Sequence, residues 1–396
     1  MRNFFIFGFY CALIFSAAGV AHSQASPDHL GTSSVVEPTV LAEDQACSTC
    51  HEDTYNSYLR TAHHLTSRLP TKDSILGPFS PGKNTMTTFN PQLSFLMQAQ
   101  GGRFYESALM RKSGQLVRRT EEIAIVVGSA TRGQTYLYWK GDRLYELPVS
   151  YWTALGRWVN SPGYVDGSAD FDRPVTPRCL ECHSTFFEPL GPSPRTNEYN
   201  AFNFVLGISC ERCHGPGDQH AKYRASNPKA RVTVSPLPPI GLSRDREIDL
   251  CAQCHGGPGT AVAPPFSFRP GQLLSDSIVL RQPRPTESVD VHGNQVALLE
   301  RSRCFQSSPT MSCSTCHDVH SREKPAASYS AVCLKCHNEK SCGAFARLGP
   351  QIAQNCVDCH MPVQASNLLT VDTDDTRLPA NVRNHWIRVY SEPRLP

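Results

Sequence analysis

Beyond Val20 the sequence contains no long apolar run, and that excludes a later membrane-spanning helix. Charge of one sign is also missing. The formal net charge is +3 over 396 residues, which gives no footing for nucleic acid or an acidic membrane surface. A motif recurs along the chain, but without a fixed period, so a solenoid of identical repeats is excluded. No Cys-x-x-Cys-Lys occurs anywhere.

Proline, cysteine and histidine are plentiful. There are 31 prolines, above the usual share of about 5%, and such a chain resists long helices and sheets. It needs another source of cohesion. Fourteen of the 17 cysteines fall in seven Cys-x-x-Cys-His signatures: Cys47/Cys50, Cys179/Cys182, Cys210/Cys213, Cys251/Cys254, Cys313/Cys316, Cys333/Cys336 and Cys356/Cys359. The histidines that close them are His51, His183, His214, His255, His317, His337 and His360.

A single Cys-x-x-Cys reads equally as half a zinc site or a redox pair. Seven with the trailing histidine, behind an export leader, read as c-type haem attachment. Two thiols add to the haem vinyl groups and the histidine becomes an axial ligand of the iron. Seven covalently bound haems follow. Each is a large apolar plate that can replace side-chain core. Their propionates would turn the mature chain acidic, which favours a basic redox partner through salt-sensitive steering.

The leader comprises residues 1–25, with Arg2, the apolar run Phe4–Val20, and small residues that set cleavage after Ser23 or Ala25. The mature protein is therefore expected in the periplasm or secreted, with no transmembrane segment after cleavage. Cys11 leaves with the leader, which leaves Cys304 and Cys342. An oxidising compartment allows those two to pair as a disulfide; two free thiols are the alternative.

Residues 26–46 read as a linker and 47–86 as a first haem unit. Tyr55, Tyr58, Leu59 and Ala62 recur at helical spacing, so His51–His64 is expected as one helix. His51 and His63 would then lie about 18 Å apart along its axis, too far to clamp one iron. Residues 87–150 change character. Thr87–Val149 reads as an antiparallel β insertion of five or six strands, with hairpin turns at Gly101-Gly102, Ser113-Gly114 and Gly141-Asp142. Residues 151–396 complete the haem domain with six signatures. The expected fold class is mainly α and irregular, a multihaem cytochrome c fold with a haem-packed core and one β insertion.

Seven irons offer fourteen axial positions, and the signature histidines fill half. Seven histidines outside the leader remain: His29, His63, His64, His220, His292, His320 and His385. In CERCHGPGDQH, His220 follows His214 by six residues and a Gly-Pro-Gly turn, too close to reach round the same macrocycle. His320 stands three residues after His317 in the same way. Each is aimed at a neighbouring iron. His63, His385 and His292 are the further distal candidates. His63 and His64 diverge by about 100° on a helix, so one of the pair is spare.

The segment CSTCHEDTYNSYLRTAHH resembles the opening unit of multihaem cytochromes related to the tetrahaem cytochrome c of ammonia oxidisers. CERCHGPGDQH, CSTCHDVH and CVDCHMP resemble the same group, which extends to hydroxylamine oxidoreductase, pentahaem nitrite reductase and octahaem tetrathionate reductase. The run GSATRGQTYLYWKGDRLYELPVSYW, with WVNSPGY and CLECH, looks like periplasmic multihaem proteins. The resemblance implies distal ligation by His63, His220, His320 and His385. The missing Cys-x-x-Cys-Lys departs from the lysine-ligated haem of the nitrite reductases.

The expectation is an electron carrier passing electrons between a quinol-side donor, or another cytochrome, and an acceptor. Its assembly state, an oligomer included, stays open. The alternative is a haem oxidoreductase with an open iron acting on a small nitrogen or sulfur compound. Arg178, Arg212 and Arg303, beside signatures, would then meet substrate. Their plainer role is pairing with haem propionates.

Overall fold

The structure, a computed structural model, describes residues 44–229 and 241–390. His29 and Cys11 lie outside the described residues. So do the leader and most of the expected linker.

Strands occupy the region after the first signature. Thr85–Thr87, Leu93–Gln100, Arg103–Lys112 and Gln115–Glu122 form a four-stranded antiparallel meander. Leu93, Phe95 and Met97 are buried while their neighbours are less so, the period-2 pattern of a half-buried strand. The pairs Gln100↔Arg103 and Lys112↔Gln115 leave two-residue turns. In both turns the two central residues have positive φ, Gly101 at 59° and Gly102 at 80°, Ser113 at 49° and Gly114 at 80°. Such turns match the right-handed twist of the flanking strands.

A second antiparallel sheet contains Ser67–Arg68, Ile125–Val127, Gly133–Lys140, Arg143–Glu146, Val149–Trp152 and Arg157–Asn160. One apolar cluster holds both sheets: Phe95, Met97 and Phe104 from the first, Val126, Tyr136, Tyr138, Val149 and Trp158 from the second.

Helices are short: α1 (Asp44–Tyr58), α2 (Pro177–His183), α3 (Cys210–His214), α4 (Asp218–Ser226), α5 (Arg244–His255), α6 (Gln295–Leu299), α7 (Arg303–Ser307), α8 (Ala326–Cys333), α9 (Phe345–Leu348) and α10 (Cys356–His360). Pro177 opens α2, where its missing N–H is an orphan in any helix. Ser243 caps α5 by accepting from Arg246 N at 3.4 Å, and Asp245 and Glu247 favour its first turn. No helix among the described residues is long and apolar enough to cross a membrane.

The expectation of a mainly α, haem-packed fold is overturned. Helix and strand are nearly equal, 27% and 28%. Strands also recur past the first sheets, as antiparallel ribbons Ser184–Pro189 with Tyr199–Leu206, Gly259–Ala261 with Ile278–Leu280, and Val363–Asp372 with Arg377–Arg383. Proline content opposes long elements but not two-stranded ribbons, and aromatic and β-branched residues supply side-chain cores of their own. Ile125, Leu137, Leu144, Phe187 and Tyr199 bury Leu180 of α2. Leu250 and Ala252 of α5 pack with Phe268, Ile278 and Val296, and Cys213 lies against them. Val371 and Ala380 seat the last ribbon on Trp152 and Val159. The signatures at 179–183, 210–214 and 251–255 thus take part in ordinary hydrophobic packing.

Four attachment cysteines are exposed: Cys50, Cys179, Cys316 and Cys336. At Cys50 and Cys336 the reason is local. Tyr58 is the only buried residue of α1, which carries Cys50, and Ser330 is the only one of α8, which ends just before Cys336. His51 and His337, the histidines that close these two signatures, are exposed as well. The signatures at 47–51 and 333–337 therefore stand at the surface.

Glu106 is fully buried in the strand layers, and its Oε2 has no hydrogen-bond partner. Oε1 accepts from Val149 N at 3.1 Å. Burial pushes its pKa well above the ordinary carboxylate value. The folded state therefore holds the proton. The stability this contributes is present in full below the unfolded pKa of about 4.3 and is lost as pH rises toward the folded value. Glu106→Gln, which cannot ionise, is expected to raise stability by about 1–3 kcal/mol at pH 8 relative to wild type. The gain should shrink at pH 5. Thermal unfolding at the two pH values checks this, and an equal effect at both would contradict it.

Candidate haem array

The seven signatures are brought together, each through at least one of its cysteines. The sulfurs of Cys47 and Cys210 hydrogen-bond each other, and Asp44 Oδ1 accepts from Cys210 N at 2.9 Å. Cys213 lies within electrostatic reach of Cys251. Cys251 hydrogen-bonds Cys313. Glu247 of α5 ties those two signatures, since its Oε1 accepts from Ser312 Oγ at 2.8 Å and Ser314 N at 3.1 Å.

Cys316 neighbours Cys333, and Cys333 neighbours Cys356. Ser330 of α8 bridges the last two, donating to Gln354 O at 3.0 Å and accepting from Val357 N at 3.5 Å. The remaining signature joins as a branch. Cys182 bonds Cys254, and each sulfur also approaches a carbonyl of the other's helix, Gln253 O at 3.8 Å and Glu181 O at 3.7 Å. From residue 47 to residue 360 the signatures form one connected line with one branch.

Two of the arginines beside the signatures, Arg178 and Arg212, serve this assembly. Arg178 Nη2 donates to Gln253 O at 2.5 Å, and Arg212 Nη2 to Glu181 O at 3.1 Å. Both brace neighbouring signatures through backbone carbonyls, a role the residue types alone do not reveal. By contrast Ser57, Arg60, Ser321, Arg322 and Lys324 line a recess of about 320 Å³ beside His320. Among the described residues no carboxylate ion-pairs with those three cations.

The histidines pair across the chain. His214 and His320 rings are 5.9 Å apart and near parallel, and His317 and His385 are 6.2 Å apart and near parallel. His255 and His63 are 6.1 Å apart, edge to face. His292 lies within electrostatic reach of His183.

These distances provide a fit test. Two imidazoles bound on opposite sides of one iron, each with a metal–nitrogen bond of about 2 Å, hold their ring centres about 6.3 Å apart. Three pairs meet that span. In each, one ring closes a signature and the other comes from a distant segment. The residues fit bis-histidine haem.

Protonation fits as well. Burial lowers the pKa of His63, His292 and His385, and takes His183 and His255 to about 4. The rings are thus neutral at pH 7, the form that ligates iron. His183 and His255 keep much of their own surface exposed. His183 Nδ1 lies 3.0 Å from Thr66 Oγ1, His360 Nδ1 2.9 Å from Arg388 O, and His385 Nδ1 3.2 Å from Arg383 O. The two carbonyl contacts place the Nδ1 proton of His360 and His385 and leave Nε2 for a metal, whereas the Thr66 hydroxyl is able to donate or accept.

Three further sequence expectations change. The expected helix His51–His64 ends at Tyr58 and is broken at His51 (φ −119°, ψ 40°). His63 and His64 enter a separate turn, in which His63 meets His255 while His64 meets Tyr58 at 6.0 Å. Cys304 and Cys342 are free thiols and do not pair. Cys304 sits near Cys316 and Cys333, whereas Cys342 sits near Cys359. His220, on α4, has no histidine ring stacked against it among the described residues.

Residues 163–215 match the family model described as cytochrome c554 and c-prime. This stretch holds the Cys179–His183 and Cys210–His214 signatures. The chain is also similar to the C-type polyheme cytochrome OmcC of Geobacter sulfurreducens, 36% identical over 93 residues. That match covers 23% of this chain and 10% of the relative, so the chain spans about a tenth of the relative's length. No solved structure matches. The two similarities, independent of the ring geometry, support a multihaem c-type cytochrome with covalently attached haem and a role in electron transfer.

Proposed function

We propose that this protein is a heptahaem c-type cytochrome, exported to the periplasm or beyond, that carries electrons along a connected haem array between a quinol-side donor and a terminal acceptor. The observation that carries the reading is the connected line of signatures combined with the opposed histidine rings. Each haem would be attached at one signature, with His51, His183, His214, His255, His317, His337 and His360 proximal. His292, His320, His63 and His385 would be distal to His183, His214, His255 and His317 respectively. Three of the irons remain, with His220 and His29 left to serve two of them and His64 spare.

Haem supplies one-electron chemistry when bound. The chain fixes the order of the haems, their ligands and their burial, and through these their potentials. Imidazoles oriented by Thr66, Arg383 O and Arg388 O hold the ligand geometry constant between redox states. Little reorganisation then accompanies each transfer. The exposure of Cys50, Cys179, Cys316 and Cys336 would leave an edge of four haems at the surface, where a redox partner can reach them.

Protein-film voltammetry of the holoprotein tests the reading. Reversible one-electron waves over a broad potential range, unchanged by nitrite, hydroxylamine or tetrathionate, are expected. A catalytic current with any of these would replace the carrier reading with that of an oxidoreductase.

A further inference from the structure

The turn after α1 touches two different haem sites. His63 faces His255 at 6.1 Å, and three residues on Thr66 Oγ1 lies 3.0 Å from His183 Nδ1. The turn is held tightly. Gly128 N donates to Thr66 O at 2.6 Å, and Ile208 N to His63 O at 3.0 Å. Ser67 Oγ donates to His183 O at 2.6 Å and accepts from Gly207 N at 2.8 Å. Gly207 has φ +67°, and a Cβ there would come within 2.3 Å of His64 O, so only glycine lets the backbones approach this closely. The Thr66 hydroxyl is thus fixed in place.

We infer that Thr66 is a positioning residue that sets the potential of the haem attached at Cys179–His183. This rests on the proposed ligation of that haem by His183. A histidine bound to iron through Nε2 carries its proton on Nδ1, so in this contact the imidazole donates and the hydroxyl accepts. Accepting that proton makes the imidazole a stronger donor to iron and favours the ferric state. Because His63 shares the turn, movement of this segment reaches the ligands of the His255 haem and the His183 haem together. These are the two haems whose signatures meet at Cys182 and Cys254.

Thr66→Val removes the acceptor and keeps the shape. In the holoprotein it is expected to change the ferric-over-ferrous preference of one haem about tenfold, an upward shift of about 59 mV for one electron. Thr66→Ser, which restores a hydroxyl, should return the wild-type potential. The readouts are a spectroelectrochemical titration, the EPR g-values of that haem, and peptide mass mapping of haem on residues 179–183. A single step moved upward in Thr66→Val and restored in Thr66→Ser supports the inference. Unmoved steps and g-values with haem present on that peptide overturn it and leave the carrier reading intact. A peptide without haem overturns the ligation on which it rests. Lowered stability with every potential unchanged would mean that Thr66 is merely structural, and would also overturn it.

Discussion

Replacing Cys251 and Cys254 with alanine together is expected to slow electron passage through the holoprotein by more than an order of magnitude while removing a single haem. The signature at 251–255 is the junction of the array. Cys251 meets Cys313 and neighbours Cys213, and Cys254 meets Cys182. Loss of its haem separates the haems at 47–51 and 210–214 from those at 313–317, 333–337 and 356–360, and isolates the one at 179–183. The polypeptide should stay docked, because Leu250 and Ala252 are buried in an apolar cluster that does not depend on the sulfurs.

The matched control is Cys356→Ala with Cys359→Ala, which also removes one haem but from the end of the line. Photoreduction followed by time-resolved spectra reads the internal equilibration. Slowing in the junction variant with near-normal equilibration in the terminal variant is expected. Equal slowing would show that the order inferred from the sulfur contacts is wrong.

The second large effect is expected at His63. His63→Ala should convert one low-spin haem per chain to a high-spin, carbon-monoxide-binding one, whereas His64→Ala should leave the spin state unaltered. The reasoning is geometric. His63 opposes His255 at the span a bis-histidine iron requires, and burial holds it neutral. His64, its neighbour, meets the edge of Tyr58, whose hydroxyl is committed to Ile208 O at 2.6 Å. Removing the His63 imidazole leaves an axial position to water or an added ligand, and the loss of a strong-field nitrogen changes spin state and potential together. EPR and the reduced carbon monoxide spectrum of each variant measure it. A high-spin signal in His64→Ala, with His63→Ala unchanged, would reverse the assignment, and one in both would place both rings on iron.

The attachment chemistry was legible in the sequence, because a spacing of three with a trailing histidine is local and its meaning does not depend on the fold. Which histidine rings oppose one another was not. His63 and His255 stand far apart in the chain, as do His214 and His320, and only the tertiary arrangement brings their rings together. The exposure of Cys50, Cys179, Cys316 and Cys336 was hidden for the same reason, since all seven signatures read alike. The strands of the first sheet could be read from the alternation Leu93, Phe95, Met97 and from the turns at Gly101 and Gly114. The later ribbons could not. Val363–Asp372 carries no strict alternation, and its pairing with Arg377–Arg383 passes through a register shift.

The haem-packed core failed as an expectation for a related reason. Proline content describes what a chain avoids, and says nothing about how well aromatic clusters such as Phe187 with Phe204 and Tyr199 can pack between short strands. Thr66 offered no motif at all. Its relevance depends on a contact with a ring 117 positions further on.

Intact-mass spectrometry of the mature holoprotein, with and without thiol alkylation under denaturing conditions, tests the central claim most directly. The account predicts seven haem masses on each chain and two alkylatable thiols, those of Cys304 and Cys342. Fewer than seven haems, or more than two reactive thiols, would mean that at least one signature does not carry haem, and the connected array would not exist as described.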